Sequence, residues 1–323
     1  MKALIFDDQL YFVDDLAKPA PAKDEALVRV SLAGICKTDL EIEKGYMGFK
    51  GVPGHEFVGV VEKINGANQH LLDQRVVGEI NCGCRTCNYC LKGLENHCPG
   101  RTTLGINGRN GCFAEYLTLP AANLHQVPAQ VTDEEAVFTE PLAAAFEIMD
   151  QVQIRPSARV CVLGDGKLGI LTALVLSMSQ AELMLVGKYP EKLTIAEKLN
   201  LKPVLVSDFQ LDRKFDVVVE ATGSLNGFEL ARKVVNPRGI MVLKSTVAGN
   251  RECNLTSLVL DEITVIGSRC GPFAPALRAL ERKLVDVYPL IAGMYPFSEI
   301  FEAYEKSKSK NALKVLVDFR RQK

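Results

Sequence analysis

Three short, widely separated segments carry side chains suited to holding one metal ion. Gly34-Ile35-Cys36-Lys37-Thr38-Asp39 offers a thiol, a hydroxyl two residues on and an acid three residues on. Gly54-His55-Glu56 sets an imidazole beside a carboxylate, and Thr139-Glu140-Pro141-Leu142 places an acid near a helix start. Sulfur, imidazole nitrogen and carboxylate oxygen are the donors zinc takes. Alone, each segment has a plainer reading: Cys36 as a small buried apolar group, His55 as a hydrogen-bonded turn residue, Glu140 as a helix-end charge.

A denser signal is Cys84-x2-Cys87-x2-Cys90-x7-Cys98. Four thiolates at such spacing can enclose one zinc tetrahedrally and leave no position open, so the site they imply is structural. Cys82 and His97 border the set but break the two-residue rhythm. The lobe has few basic residues, which argues against a nucleic-acid zinc module.

The third signal is Gly164-Asp165-Gly166-Lys167-Leu168-Gly169, which follows the apolar run Val160 to Leu163 and opens a helical pattern. In a G-x-G-x-x-G, the first glycine makes the tight turn, the second admits a pyrophosphate and the third lets helix and strand pack. The free N–H groups of the helix start then face the phosphates. An NAD site commonly ends its next strand in Asp or Glu, which holds the ribose hydroxyls. That end here reads Val186-Gly187-Lys188-Tyr189, without an acid. Space at Gly187 and charge at Lys188 lead to an expected preference for NADP over NAD.

These segments need a scaffold, and the chain's periodicity supplies one. Leu27 to Leu32, Phe57 to Ile64 and Phe113 to Leu119 read as half-buried strands, and residues 82 to 112 as an irregular lobe. A helix is expected over Glu134 to Met149, capped by Asp133 or Thr132. Strands at Arg159 to Leu163, Leu183 to Val186, Val217 to Ala221, Ile240 to Leu243 and Thr264 to Ile266 then alternate with helices from Lys167, Pro190 and near Asn226. Such alternation predicts a doubly wound parallel sheet. The tail, Pro272 to Lys323, reads as two helices and a strand (Leu313 to Phe319), with too little core to stand apart from the first domain.

Composition narrows the function classes. With 323 residues, 47% hydrophobic and 24% charged, the chain can bury two ordinary cores. A net charge of −1 without a basic run gives no support for nucleic-acid or anionic-membrane partners. No stretch is long and apolar enough for a signal peptide or membrane span, so a cytoplasmic location is expected. Ten cysteines in a reducing compartment favour metal binding over disulfides.

Taken together, G-I-C-K-T-D, G-H-E, the cysteine lobe, G-x-F-A-E-Y at Gly111 to Tyr116, E-P-L and G-D-G-K-L-G resemble the zinc-dependent medium-chain alcohol dehydrogenase family over essentially the whole chain. The resemblance implies a GroES-like, partly β-barrel catalytic domain over residues 1–141 and 272–323, carrying the zinc lobe at about 82–112. A Rossmann domain would span 142–271. It implies two zinc ions: a structural one on Cys84, Cys87, Cys90 and Cys98, and a catalytic one on Cys36, His55 and the acids Glu56 and Glu140. Cys36, His55 and Glu140 are expected to persist as ligands and Glu56 to exchange. Two carboxylates and a thiolate leave Zn²⁺ at net −1, and withdrawal of Glu56 would restore its Lewis acidity. Asp39 would fix the His55 tautomer, and Thr38 would take the alcohol proton as hydride passes to nicotinamide. Many relatives place a proton-relaying histidine where Glu41 stands here.

By the same match, Gly164, Gly166, Lys167, Leu168, Gly169, Gly187, Lys188, Lys192, Thr222 and Lys314 are expected to contact the dinucleotide, with Lys192 at the ribose and Lys314 at the pyrophosphate. The expected substrate is a small alcohol or carbonyl compound, with a slight preference for polyols, sugars or amino alcohols, and the expected assembly a homodimer or homotetramer. Two rival readings make opposite demands. A zinc-independent quinone or enone reductase of the same superfamily needs none of the donor residues, and an inactive binding protein predicts that they are broken.

Overall fold

The computed structural model describes residues 1–212, 214–246 and 255–320. The chain divides into two compact units, Met1–Glu140 with Leu277–Lys323, and Pro141–Ala276. Residues 321–323, the end of the expected catalytic domain, lie outside the described residues.

The first unit is organised by one long strand, Glu25–Ile35. Its apolar residues are buried on nearly every position (Ala26, Val28, Leu32 and Ala33 are fully buried), as expected of a strand covered on both faces. Along one edge it pairs antiparallel with Glu56–Asn65. Along the other it pairs first with Tyr116–Pro120 and then, toward its end, with Lys314–Asp318. Arg75–Gly78, Leu124–Gln126 and Ile291–Pro296 complete a seven-stranded sheet. The tail strand is thus a sheet member beside the long strand. The hairpin Ala3–Asp7/Gln9–Val13 and the strand Ile291–Pro296 have no counterpart in the sequence reading.

The second unit holds six parallel strands in the spatial order Pro203–Leu205, Glu182–Gly187, Arg159–Leu163, Phe215–Glu220, Val235–Leu243, Thr264–Gly267. Numbered by chain position this is 3-2-1-4-5-6, the Rossmann order, with its switch point beside Arg159–Leu163. Val160, Cys161 and Val162 are fully buried in that strand, and Phe215, Val218 and Met241 pack in the same core.

The single helix expected over Glu134 to Met149 is two: Asp133–Ala136 and Thr139–Gln151. Thr132 caps the first in a capping box with Glu135. Pro141 has no N–H to continue the ladder and is tolerated only in a first turn, so a new helix begins just before it.

Candidate active site

Strand pairing brings distant segments of the first unit to one sheet end. Cys36 directly follows Ile35. Glu56 opens the neighbouring strand opposite Gly34, and on the other side Val315 pairs with Ile35, so Lys314 stands alongside. A Cβ on Gly34 would meet Glu56 Oε2 at 2.7 Å and Lys314 Nζ at 3.1 Å, so a larger residue there would push both groups aside. Donor atoms of Cys36, His55 and Glu56 all lie within 4.8 Å of one another. His55 and Glu56 are buried and Cys36 is half-buried. A soft sulfur, an imidazole and a carboxylate in so small a space suit zinc.

Asp39 orders the set. Its Oδ2 accepts the Cys36 N–H (2.7 Å), and its Oδ1 lies 3.2 Å from His55 Nδ1. That pairing turns Nε2, the second ring nitrogen, toward a ligand. Burial alone would lower the His55 pKa, but the Asp39 carboxylate and the Cys36 sulfur raise it well above the usual imidazole value. The Thr38 hydroxyl stands 3.8 Å from Cys36 Sγ. Glu140, in the first turn of Thr139–Gln151, is not part of the set that closes to 4.8 Å. Cys112 is buried nearby, its thiol donating to the Glu56 carbonyl at 3.5 Å, and burial pushes its pKa well up, as for an inert interior thiol.

Lys314, expected at the cofactor pyrophosphate, is fully buried in the first unit, and its ammonium pairs with the Glu56 carboxylate. The register of Lys314–Asp318 against Glu25–Ile35 places it beside Glu56, a pairing that a residue match in a linear sequence does not reveal.

The four lobe cysteines, Cys84, Cys87, Cys90 and Cys98, also converge within 4.8 Å. Backbone N–H groups already point at the sulfurs: Cys84 N–H to Cys98 Sγ and Cys87 N–H to Cys84 Sγ, each at 3.4 Å. The Thr86 hydroxyl and such N–H groups hold the Cys84 thiol down at about 5, whereas burial pushes Cys90 to about 12. Four converging sulfurs with N–H groups already aimed at two of them fit a closed zinc site. Cys82 and His97 stand outside it, and Cys82 receives the Asn123 amide at 4.0 Å.

In the second unit the glycine turn fits a dinucleotide. Gly164 has φ +122°, with the Ala221 backbone 2.8 Å from where a Cβ would stand, and the space beside Gly166 is open. The helix Lys167–Ser177 starts with no side-chain cap, which leaves its first N–H groups for phosphate oxygens. Leu168 and Gly169 lie in that first turn. Lys192 is buried, its ammonium 4.7 Å from the Tyr189 ring centre, and Lys188 lies 5.8 Å from the same ring. Thr222 donates through both its N–H (2.7 Å) and its hydroxyl (2.5 Å) to Glu220 Oε1.

The premise that no acid stands at the second strand's end does not hold in three dimensions. Asp165 reaches it from the glycine turn, its Oδ2 accepting the N–H groups of Lys188 and Tyr189, both at 2.6 Å. Asp165 was legible only as a variable position of the motif. Lys244 was also missed. It is buried at the end of Val235–Leu243, donating to Ser268 Oγ (3.0 Å) and the Arg269 carbonyl (2.6 Å). A lysine closing an apolar strand was its one available signal.

Comparison with known proteins agrees with this architecture. Residues 22–129 match the alcohol dehydrogenase GroES-like domain, and residues 134–319 the glucose dehydrogenase C-terminus. Sorbitol dehydrogenase of Halalkalibacterium halodurans is 28% identical over 328 residues, covering 95% of each chain. D-arabinitol dehydrogenase 1 of Uromyces fabae is 29% identical, covering 91% of this chain and 90% of its own. Among solved structures, an E. coli CFT073 protein described as a short chain alcohol dehydrogenase (rspB), complexed with NADH, superposes with a TM-score of 0.90 at 25% identity, covering 99% of both chains. The chain is therefore an oxidoreductase of the alcohol dehydrogenase type and belongs to the zinc-type medium-chain alcohol dehydrogenase family, built of a GroES-like domain and a Rossmann domain.

Proposed function

We propose that this enzyme is a zinc-dependent dehydrogenase that moves a hydride between a secondary alcohol carbon, in a polyol or sugar-like substrate, and a nicotinamide dinucleotide. The observation that carries this reading is the convergence of Cys36, His55 and Glu56 within 4.8 Å, under a histidine already oriented by Asp39. The polyol class draws support from the sorbitol and D-arabinitol dehydrogenases among its relatives.

Cys36 and His55 would hold the catalytic zinc with Glu140 as the persistent acid, and Glu56 would be the ligand that withdraws. Glu56 suits that role because the Lys314 ammonium offers it a second partner, so its charge is never left buried and uncompensated. When bound, zinc supplies Lewis acidity that polarises the substrate oxygen and lowers the pKa of an alcohol. Thr38, at the edge of the donor set, accepts the hydroxyl proton through Oγ1. Glu41, paired with Lys44 at 2.9 Å, passes it on toward solvent in place of a histidine. Asp39 keeps His55 in the tautomer that presents Nε2. The four lobe cysteines would hold a second zinc that replaces a hydrophobic core in a segment too irregular to have one.

Among the described residues Thr264–Gly267 is an edge strand, and with Val265 exposed and Val259 and Leu260 about three-quarters exposed beside it in sequence, it suits pairing with a second copy in a dimer or tetramer. Among the described residues no helix is long and apolar enough to cross a membrane, and thiolate metal sites suit the reducing cytoplasm. A zinc-independent reductase would have no use for either donor set.

The test combines metal analysis with a panel of polyols, simple alcohols and aldehydes, followed by the absorbance of reduced nicotinamide. Zinc at both clusters and turnover of polyols abolished by Cys36→Ser are expected. Undiminished turnover in that variant overturns the catalytic assignment.

A further inference from the structure

We propose that Asp165 is the residue that reads the adenosine ribose, and that it turns the nucleotide site toward NAD and against NADP. The inference rests on reading the glycine turn as a dinucleotide cradle and goes beyond that reading in assigning the choice between two cofactors to one side chain.

The geometry follows from strand register. Arg159–Leu163 and Glu182–Gly187 are parallel neighbours, with Leu163 opposite Val186. Two residues past Leu163, Asp165 therefore comes alongside the end of the second strand. Asp165 is only 7% exposed, and its position is fixed by the Lys188 and Tyr189 N–H groups, each 2.6 Å from Oδ2. A Cβ on Gly187 would meet Asp165 Cβ at 2.6 Å and Oδ2 at 2.8 Å. An acid at Gly187 and an acid at Asp165 exclude one another, and this chain has the second. The carboxylate an NAD site needs thus arrives from the first strand's turn, while the second strand yields the space with glycine.

The same contacts work against NADP. Two successive N–H groups just past a strand end, flanked by Lys188 and Lys192, would form a nest for a phosphate. Asp165 fills that nest with its own anion. A 2′-phosphate would have to displace it or lie against it, and like charges so close oppose binding strongly. A ribose 2′-hydroxyl instead brings a donor, for which Oδ1 is an acceptor.

Direct binding decides the matter independently of turnover. NADH and NADPH are titrated into the full-length enzyme, its Asp165→Asn and its Asp165→Ser variants, by reduced-nicotinamide fluorescence, with melting curves to verify folding. Wild type is expected to bind NADH at least about tenfold more tightly than NADPH. Loss of the charge should move the ratio of the two dissociation constants toward NADPH by on the order of 100-fold. Equal weakening of both cofactors in a folded variant means that Asp165 only braces the turn, and the proposal fails. Tighter NADPH binding by wild type also overturns it, even if neither variant folds. If wild type binds neither dinucleotide, the cradle reading itself falls, an outcome distinct from a wrong preference between two ligands that both bind.

Discussion

The Lys314 ammonium and the Glu56 carboxylate form an ion pair that no solvent reaches, both side chains being fully buried. Glu56 belongs at once to this pair and to the converging donor set with Cys36 and His55. Desolvation pulls the Lys314 pKa down, against the Cys36 and Asp39 charges that hold it up. Breaking a buried pair from one side costs about 3–5 kcal/mol, because the remaining charge loses both water and partner. Lys314→Met should therefore lower the stability of the metal-stripped protein by about 3 kcal/mol. Lys314→Met/Glu56→Gln, which removes both charges, should recover most of that loss. Urea unfolding of the single and double variants measures it; a Lys314→Met variant as stable as wild type would show the pair to be energetically empty.

In the proposed zinc site Asp39 would act on the metal through His55. Asp39→Asn keeps an oxygen for the Cys36 N–H but removes the charge beside His55 Nδ1. Losing such an outer partner costs about 10–100-fold in metal affinity or activity. The expected result is faster loss of zinc to a chelator from the Cys36 cluster and a parallel fall in kcat, with zinc at the cysteine lobe retained as an internal control. Unchanged chelation kinetics would reduce Asp39 to a helix-capping residue.

At the cysteine lobe, Cys98 is fully buried and its sulfur receives the Cys84 N–H. Cys98→Ser should release the lobe's metal and lower the melting temperature of the first unit. NADH binding should survive, because the glycine turn lies in the other compact unit, Pro141–Ala276. Metal content and NADH titration on the same sample test both halves. Retention of both metals would place the structural site elsewhere.

The parts of this molecule governed by local rules were legible in its sequence. The parallel strands of the second unit follow from alternating apolar runs, and the glycine turn and cysteine spacing from motif geometry. What escaped depends on register between distant strands. That Lys314 stands against Glu56 is decided by pairing Val315 with Ile35, across some 280 residues of chain. Whether the second strand's end carries an acid is decided by Asp165, 22 positions before Gly187, reaching across from the neighbouring turn. The short strand Pro203–Leu205 was missed because three half-buried residues beginning with proline give no period to read.

A pH-dependent contribution to stability is expected at Glu135. It is buried in the capping box at Thr132, accepting the Thr132 N–H at 2.9 Å, while the Lys283 ammonium lies 2.6 and 2.7 Å from its two oxygens. Burial alone would raise its pKa, but Lys283 and the Thr132 N–H outweigh it and hold the carboxyl below the ordinary glutamate value of 4.5. A carboxyl whose pKa is lower in the folded state binds its proton more readily when unfolded. Its stabilisation is therefore complete above pH 4.5 and disappears as pH falls through the folded-state value. Lys283 is half exposed, so the pair is partly screened, and glutamine can keep the capping contact to the Thr132 N–H, so the variant reads mainly the lost charge. Glu135→Gln should cost about 1 kcal/mol at neutral pH. Its melting temperature should converge on that of wild type as the buffer is taken below pH 4.5. Melting curves of the two proteins across that range measure the convergence. A gap that persisted undiminished in acid would mean that glutamine fails there by packing rather than by lost charge.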